Sequence, residues 1–103
     1  MSGEVDRAGS SEPVTLKPLY AAQAADAIDQ LRLGSDADLY GAVCDAINLV
    51  CDHGDTAAAR REQLRTTSGS PVWKVALRTR HADWVLLWWP VGSDAQIYYI
   101  GRL

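Results

Sequence analysis

Val72-Trp73-Lys74-Val75-Ala76-Leu77-Arg78, Trp84-Val85-Leu86-Leu87-Trp88-Trp89 and Ile97-Tyr98-Tyr99-Ile100-Gly101-Arg102 fill most of the last third of the chain. These runs are rich in β-branched and aromatic residues, and clusters of His, Asp, Pro, Gly and Ser separate them. That pattern reads as a three-stranded antiparallel meander. All four tryptophans lie between positions 73 and 89, so most of the burial energy is expected in this sheet.

In the first run Trp73, Val75 and Leu77 point one way, while Lys74, Ala76, Arg78 and, if the strand continues, Arg80 point the other. One face then goes to the core and the other carries cations roughly 7 Å apart. The middle run is apolar on both faces, with Trp84, Leu86 and Trp88 on one and Val85, Leu87 and Trp89 on the other. Such a strand is central and covered on both sides, or it leaves an apolar patch for a partner.

Working outward, 103 residues make one domain with a single core. A hydrophobic content of 48% with 22% charged residues fits a globular protein rather than a disordered chain. No apolar run is long enough to span a membrane, and residues 1–7 lack the apolar segment of a signal peptide. A cytoplasmic location is the expectation. The net charge of −3 is unevenly spread. Residues 1–57 carry three Lys or Arg against ten acids, net −7, while residues 58–103 carry seven against three, net +4. The basic half is the sheet half, which therefore suits an anion better than the chain as a whole does.

Cys44 and Cys51 fall seven apart on one expected helix, ~10 Å along its axis, which is beyond disulfide reach. There is no Cys-x-x-Cys and no second pair, so neither zinc nor any other metal or cofactor is expected. Both thiols read as small core residues.

The remaining segments follow in order. Residues 1–13 are expected to be a disordered tail and residues 14–103 a single domain. Val14-Thr15-Leu16-Lys17 alternates like a short strand. Pro18 suits the first turn of a helix carrying Tyr20, Ala24, Ala27, Ile28 and Leu31, which Gly34 stops. Ser35 and Asp38 form a variant capping box opening a second helix. That helix has an apolar stripe of Leu39, Val43, Ile47 and Val50, and His53-Gly54 ends it. Thr56 to Gln63 is expected as a last helical turn, and Thr66 to Pro71 as the link to the sheet. The fold class is thus α+β: a short N-terminal strand, a two-helix hairpin, then a three-stranded antiparallel meander, with the helices on one sheet face.

This order, with the runs from Trp73 to Arg78 and from Ile97 to Arg102, resembles the RelE/ParE superfamily of toxins from bacterial type II toxin–antitoxin systems. The resemblance covers about residues 14–103. It implies a toxin held by a protein antitoxin. Relatives of the RelE type are ribosome-dependent mRNA endoribonucleases (mRNA interferases), and those of the ParE type poison DNA gyrase. By the same resemblance Lys74 and Arg78 match strand positions that contact RNA phosphate, and Arg102 matches the Arg after the closing Ile-Gly. The chain departs from the pattern in two places. Asp83-Trp84-Val85 stands where many members begin the middle strand with Arg, and the tail that commonly carries a catalytic Tyr or His after the last strand is missing.

Cutting RNA through its 2′-hydroxyl needs a base, an acid and cations to hold the charge growing on phosphorus, and side chains can supply all three without a metal. The candidates are Lys74, Arg78 and His81 for catalysis, with Tyr98 or Tyr99 beside them. Lys74, Arg78, Arg80 and Arg102 are the candidates for nucleic-acid contact. Against this stands the plainer reading of a solvated sheet face and a solvated turn histidine. Trp84, Trp88 and Trp89 are core residues or a partner-docking patch, because three indoles are hard to bury entirely in so small a domain. The rival to a toxin is a non-catalytic interaction module of the same fold, using the Trp-rich strand to bind another protein or to form a homodimer.

Overall fold

The computed structural model describes residues 15–77, 79 and 83–102. The expected tail, Val14, Arg78, Arg80 and His81 lie outside the described residues. Among the described residues the fold is α+β, two helices against a five-stranded mixed sheet. In chain order the elements are β1 (Lys17–Tyr20), α1 (Ala22–Leu33), α2 (Ala37–Asp52), β2 (Glu62–Arg65), β3 (Pro71–Ala76), β4 (Trp84–Val91) and β5 (Asp94–Arg102). The spatial order is β1-β5-β4-β3-β2, with β1 parallel to β5 and every other neighbour antiparallel.

The sheet is larger than the three strands expected. Thr56 to Gln63 was expected as a helical turn, but only a single turn survives there, Arg60 N–H to Thr56 C=O. The chain then enters β2. Glu62-Gln63-Leu64-Arg65 has no β-branched residue and one apolar one, so nothing local marks it as a strand. Its conformation comes from a hairpin. Thr66 N–H reaches Ser70 C=O at 2.8 Å, Gly69 N–H reaches Thr66 C=O at 2.8 Å, and Gly69 sits at φ +89°. That φ is open to glycine and strained for other residues.

Two boundaries also differ from expectation. Pro18 lies in β1 rather than opening α1, which starts at Ala22. Lys17 N–H reaches Ser93 C=O and Ala21 N–H reaches Ile97 C=O, so in a strand of period two Pro18 faces outward, where an N–H would be unpaired. The cap of α2 is Asp36, not Ser35: its carboxylate accepts the Leu39 N–H at 3.0 Å. A capping carboxylate at a helix N-terminus also meets the positive end of the helix dipole.

The core lies between the helices and one sheet face. Ala24 of α1 and Leu39, Val43, Ala46 and Val50 of α2 pack against Val75, Leu77, Leu86, Trp88, Ile97 and Ile100. Leu86, Ile97, Ile100, Val43 and Val50 are fully buried, each contributing about 1.5–3 kcal/mol of transfer free energy. Cys51 is buried and Cys44 half-buried, both as free thiols. Burial, followed by the charge of Asp52, pushes the Cys51 thiol above the ordinary range. Among the described residues no helix is long and apolar enough to cross a membrane.

Trp88 organises the centre. It has no exposed surface, and its indole N–H donates to Ala59 C=O at 3.0 Å. Arg60 lies over the rings of Trp73 and Trp88, at 5.9 and 5.7 Å, while its Nε–H donates to Gly54 C=O at 2.6 Å. The irregular segment after α2 is thereby fastened to the sheet through one tryptophan and one arginine.

Candidate functional site

The sheet register defines a row across the face turned away from the helices. Glu62 stands opposite Lys74, Lys74 opposite Leu87, and Leu87 opposite Tyr99. With strands ~4.8 Å apart, Lys74 and Tyr99 are about 10 Å apart at their backbones. Carboxylate, ammonium and phenol are acid–base groups, but each already has a partner. Lys74 Nζ pairs with Glu62 at 3.2 Å, and the lysine side chain is only 23% exposed. The Tyr99 hydroxyl donates to Arg102 C=O at 2.6 Å.

Gly101 explains why the closing strand needs its glycine. A Cβ there would lie 2.6 Å from the Tyr99 hydroxyl oxygen and 2.9 Å from the ring carbon bearing it. The phenol folds back over the Gly101 backbone to reach Arg102. A larger residue would push the ring off and break that hydrogen bond.

The sequence candidates fall in different places. Lys74 borders a cavity of about 360 Å³ between α2 and the β2–β3 edge, shared with Leu49, Arg61 and Glu62. Arg102 borders another, of about 620 Å³, with Gln23, Asp26 and Gln30 of α1 and with Trp84 and Tyr99. Its register partner is Trp84, a residue packed on the core, so Arg102 and Lys74 do not share one site. Arg78, Arg80 and His81 belong to the segment outside the described residues.

The tryptophans divide in the same way. Trp88 is wholly buried and leaves no surface for a partner, which removes it from the docking set. Trp84 is partly buried against the core. Trp89 is half-buried and stacks on Trp73, ring centroids 5.6 Å apart and planes 20° apart. Strict alternation assigns Trp73 and Trp89 to opposite faces. The stack is reached beside a register shift between Leu87 and Trp88, where Tyr98 is skipped in the pairing and stands exposed. Among the described residues the buried Trp73 indole N–H has no hydrogen-bond partner.

Three residues at these two places were not among the sequence candidates. Glu62 falls in the segment expected as a helical turn, which leaves its pairing with Lys74 invisible. Arg61 falls in the segment expected as a helical turn, and it lines the Lys74 cavity. Gln23 falls on the expected first helix, as a polar position. Its amide nitrogen donates to Ile100 C=O at 2.9 Å and its amide oxygen accepts the Ile100 N–H at 3.0 Å. No spacing rule predicts a contact 77 residues away in sequence.

Compared with protein-family models, with curated proteins and with solved structures, the chain finds no match.

Proposed function

We propose that this chain acts by binding another protein, as a non-catalytic interaction module. The observation that carries this reading is that, among the described residues, the acid–base groups on the sheet face opposite the helices are already partnered. The ammonium of Lys74 is neutralised by Glu62, and the proton of Tyr99 is held by Arg102. Phosphoryl-transfer chemistry needs cations and protons ready to meet a developing charge. A cation already paired in the resting fold must first break that pair.

The second reading is a toxin of the RelE/ParE kind, restrained by a protein antitoxin and acting on ribosome-bound mRNA or on gyrase. What favours it is the helical hairpin packed on one sheet face while Glu62, Lys74 and Tyr99 share a row on the other. Expression in a bacterial host decides between the two. The interaction module leaves growth unaffected. Growth arrest that Lys74→Ala with Arg78→Ala abolishes overturns it in favour of the toxin, and cleavage of RNA on ribosomes then separates mRNA from gyrase as the target.

A further inference from the structure

Beside β5 the neighbour changes partway along the strand. β1 pairs with it only from Asp94 to Ile97, and the Ala21 N–H closes on Ile97 C=O before the chain turns into α1. From there to Arg102 the edge of β5 meets a helix. Gln23, Asp26, Ala27, Gln30 and Leu31 follow at helical spacing and form one stripe of α1. A helix cannot match the ~4.8 Å spacing of a further strand, so space is left beside the strand end. That space is the cavity of about 620 Å³, which Trp84, Ile100 and Arg102 also border. Its volume is in the range of small-molecule sites.

Some polar groups here are taken up within the fold. The Gln23 amide binds Ile100, and the Tyr99 hydroxyl binds Arg102 C=O. Others are not. Asp26 and Arg102 are the two charged residues bordering the cavity, and neither is in an ion pair among the described residues. The Arg102 main chain adds a donor. Trp84, its register partner, gives its C=O to Leu77 on the other side, so Trp84 and Arg102 form a pair that exchanges no hydrogen bonds. The Arg102 N–H therefore points toward α1, as the Ile100 N–H does toward Gln23. Among the described residues nothing accepts it. The apolar part of the lining is half-buried: Trp84, Ala27 and Leu31.

We infer that this cavity binds a small zwitterion with a large apolar or aromatic body, the class of a free α-amino acid. The inference goes beyond the protein-binding reading and does not rest on it. The ligand's carboxylate is received by the Arg102 guanidinium and main-chain N–H, and its ammonium by the Asp26 carboxylate. Both are charge-assisted hydrogen bonds. Its body lies against Trp84 and Leu31. The opposite charges of the lining decide the class. Asp26 and Arg102 sum to zero, so a phosphate gains at Arg102 and loses at Asp26, and a simple amine does the reverse. A zwitterion gains at both, which is discrimination by leaving no charge unmatched.

The test uses the full chain, 15N-labelled, titrated with L-phenylalanine. Two matched analogues accompany it: 3-phenylpropionate, which lacks the ammonium, and phenethylamine, which lacks the carboxylate. Phenylalanine is expected to bind with a Kd of about 1 mM or tighter. It should shift the amides of Asp26, Ala27, Gly101 and Arg102 and the indole of Trp84. Each analogue should bind at least about threefold more weakly. Asp26 and Arg102 are both exposed, so substitutions there leave the core in place. Asp26→Asn should erase the preference over phenylpropionate alone, and Arg102→Gln the preference over phenethylamine alone. That crossed pattern reads charge matching, which a merely structural change would not produce. The site is overturned by no shifts at about 20 mM phenylalanine, or by a preference below threefold over either analogue. Equal weakening of all three compounds by both substitutions also overturns it, as do shifts confined to residues away from the cavity. None of these results touches the protein-binding reading, which falls only to the growth-arrest result.

Discussion

Gln23→Ala tests most directly how this small sheet closes itself. In the native fold the Gln23 amide makes two hydrogen bonds to Ile100, at 2.9 and 3.0 Å, taking the place of a strand that β1 is too short to provide. Each such bond contributes roughly 0.5–1.5 kcal/mol net. Ile100 itself is fully buried while the Gln23 side chain is largely exposed, so water recovers part of the loss. Alanine also favours helix α1 by a few tenths of a kcal/mol. The balance is a destabilisation of about 1.5 kcal/mol, or a Tm lower by about 6–12 °C in a domain of this size. Urea unfolding followed by tryptophan fluorescence measures the first figure, and differential scanning calorimetry the second. Gln23→Glu separates shape from chemistry. The carboxylate still accepts from the Ile100 N–H but opposes its C=O, so it should fall at or below the alanine variant. If Gln23→Ala changes stability by less than about 0.3 kcal/mol, the side chain is no substitute for a strand.

Two further outcomes follow from the core. Trp88→Phe keeps an aromatic ring but leaves the buried Ala59 carbonyl without its donor. It should cost about 2–3 kcal/mol from the orphaned acceptor and the lost volume, and urea unfolding with a change below about 1 kcal/mol would contradict the role given to Trp88. The Cys51 thiol is raised by burial and then by Asp52, so the folded state disfavours its thiolate. The stability tied to that thiol is full below the ordinary thiol pKa and is lost as pH rises through the folded value. Unfolding midpoints should therefore fall above about pH 9, and Cys51→Ala should remove that part of the slope.

Much of the fold is legible in the residues, for definite reasons. β3, β4 and β5 are dense in β-branched and aromatic side chains, and turn residues separate them. α1 and α2 show apolar spacing with a clear stop at Gly34 and at His53-Gly54. The strand at Glu62–Arg65 is not legible, because four mostly polar residues become a strand only when the Thr66–Ser70 turn folds them against β3. The displacement of α1 to Ala22 has a similar origin. Pro18 suits a helix start and an outward-facing edge position equally well, and pairing with β5 decides between them.

By itself the sequence determined an α+β domain with a tryptophan-rich antiparallel sheet and a helical hairpin, since period and side-chain shape act locally. It also determined the placing of positive charge in the sheet half. Tertiary structure alone decided which groups meet: Lys74 with Glu62, Gln23 with Ile100, Trp88 with Ala59, Tyr99 over Gly101. Those pairs join residues brought together by strand register and helix packing, and register is set by the whole set of buried side chains at once rather than by any segment that contributes to it.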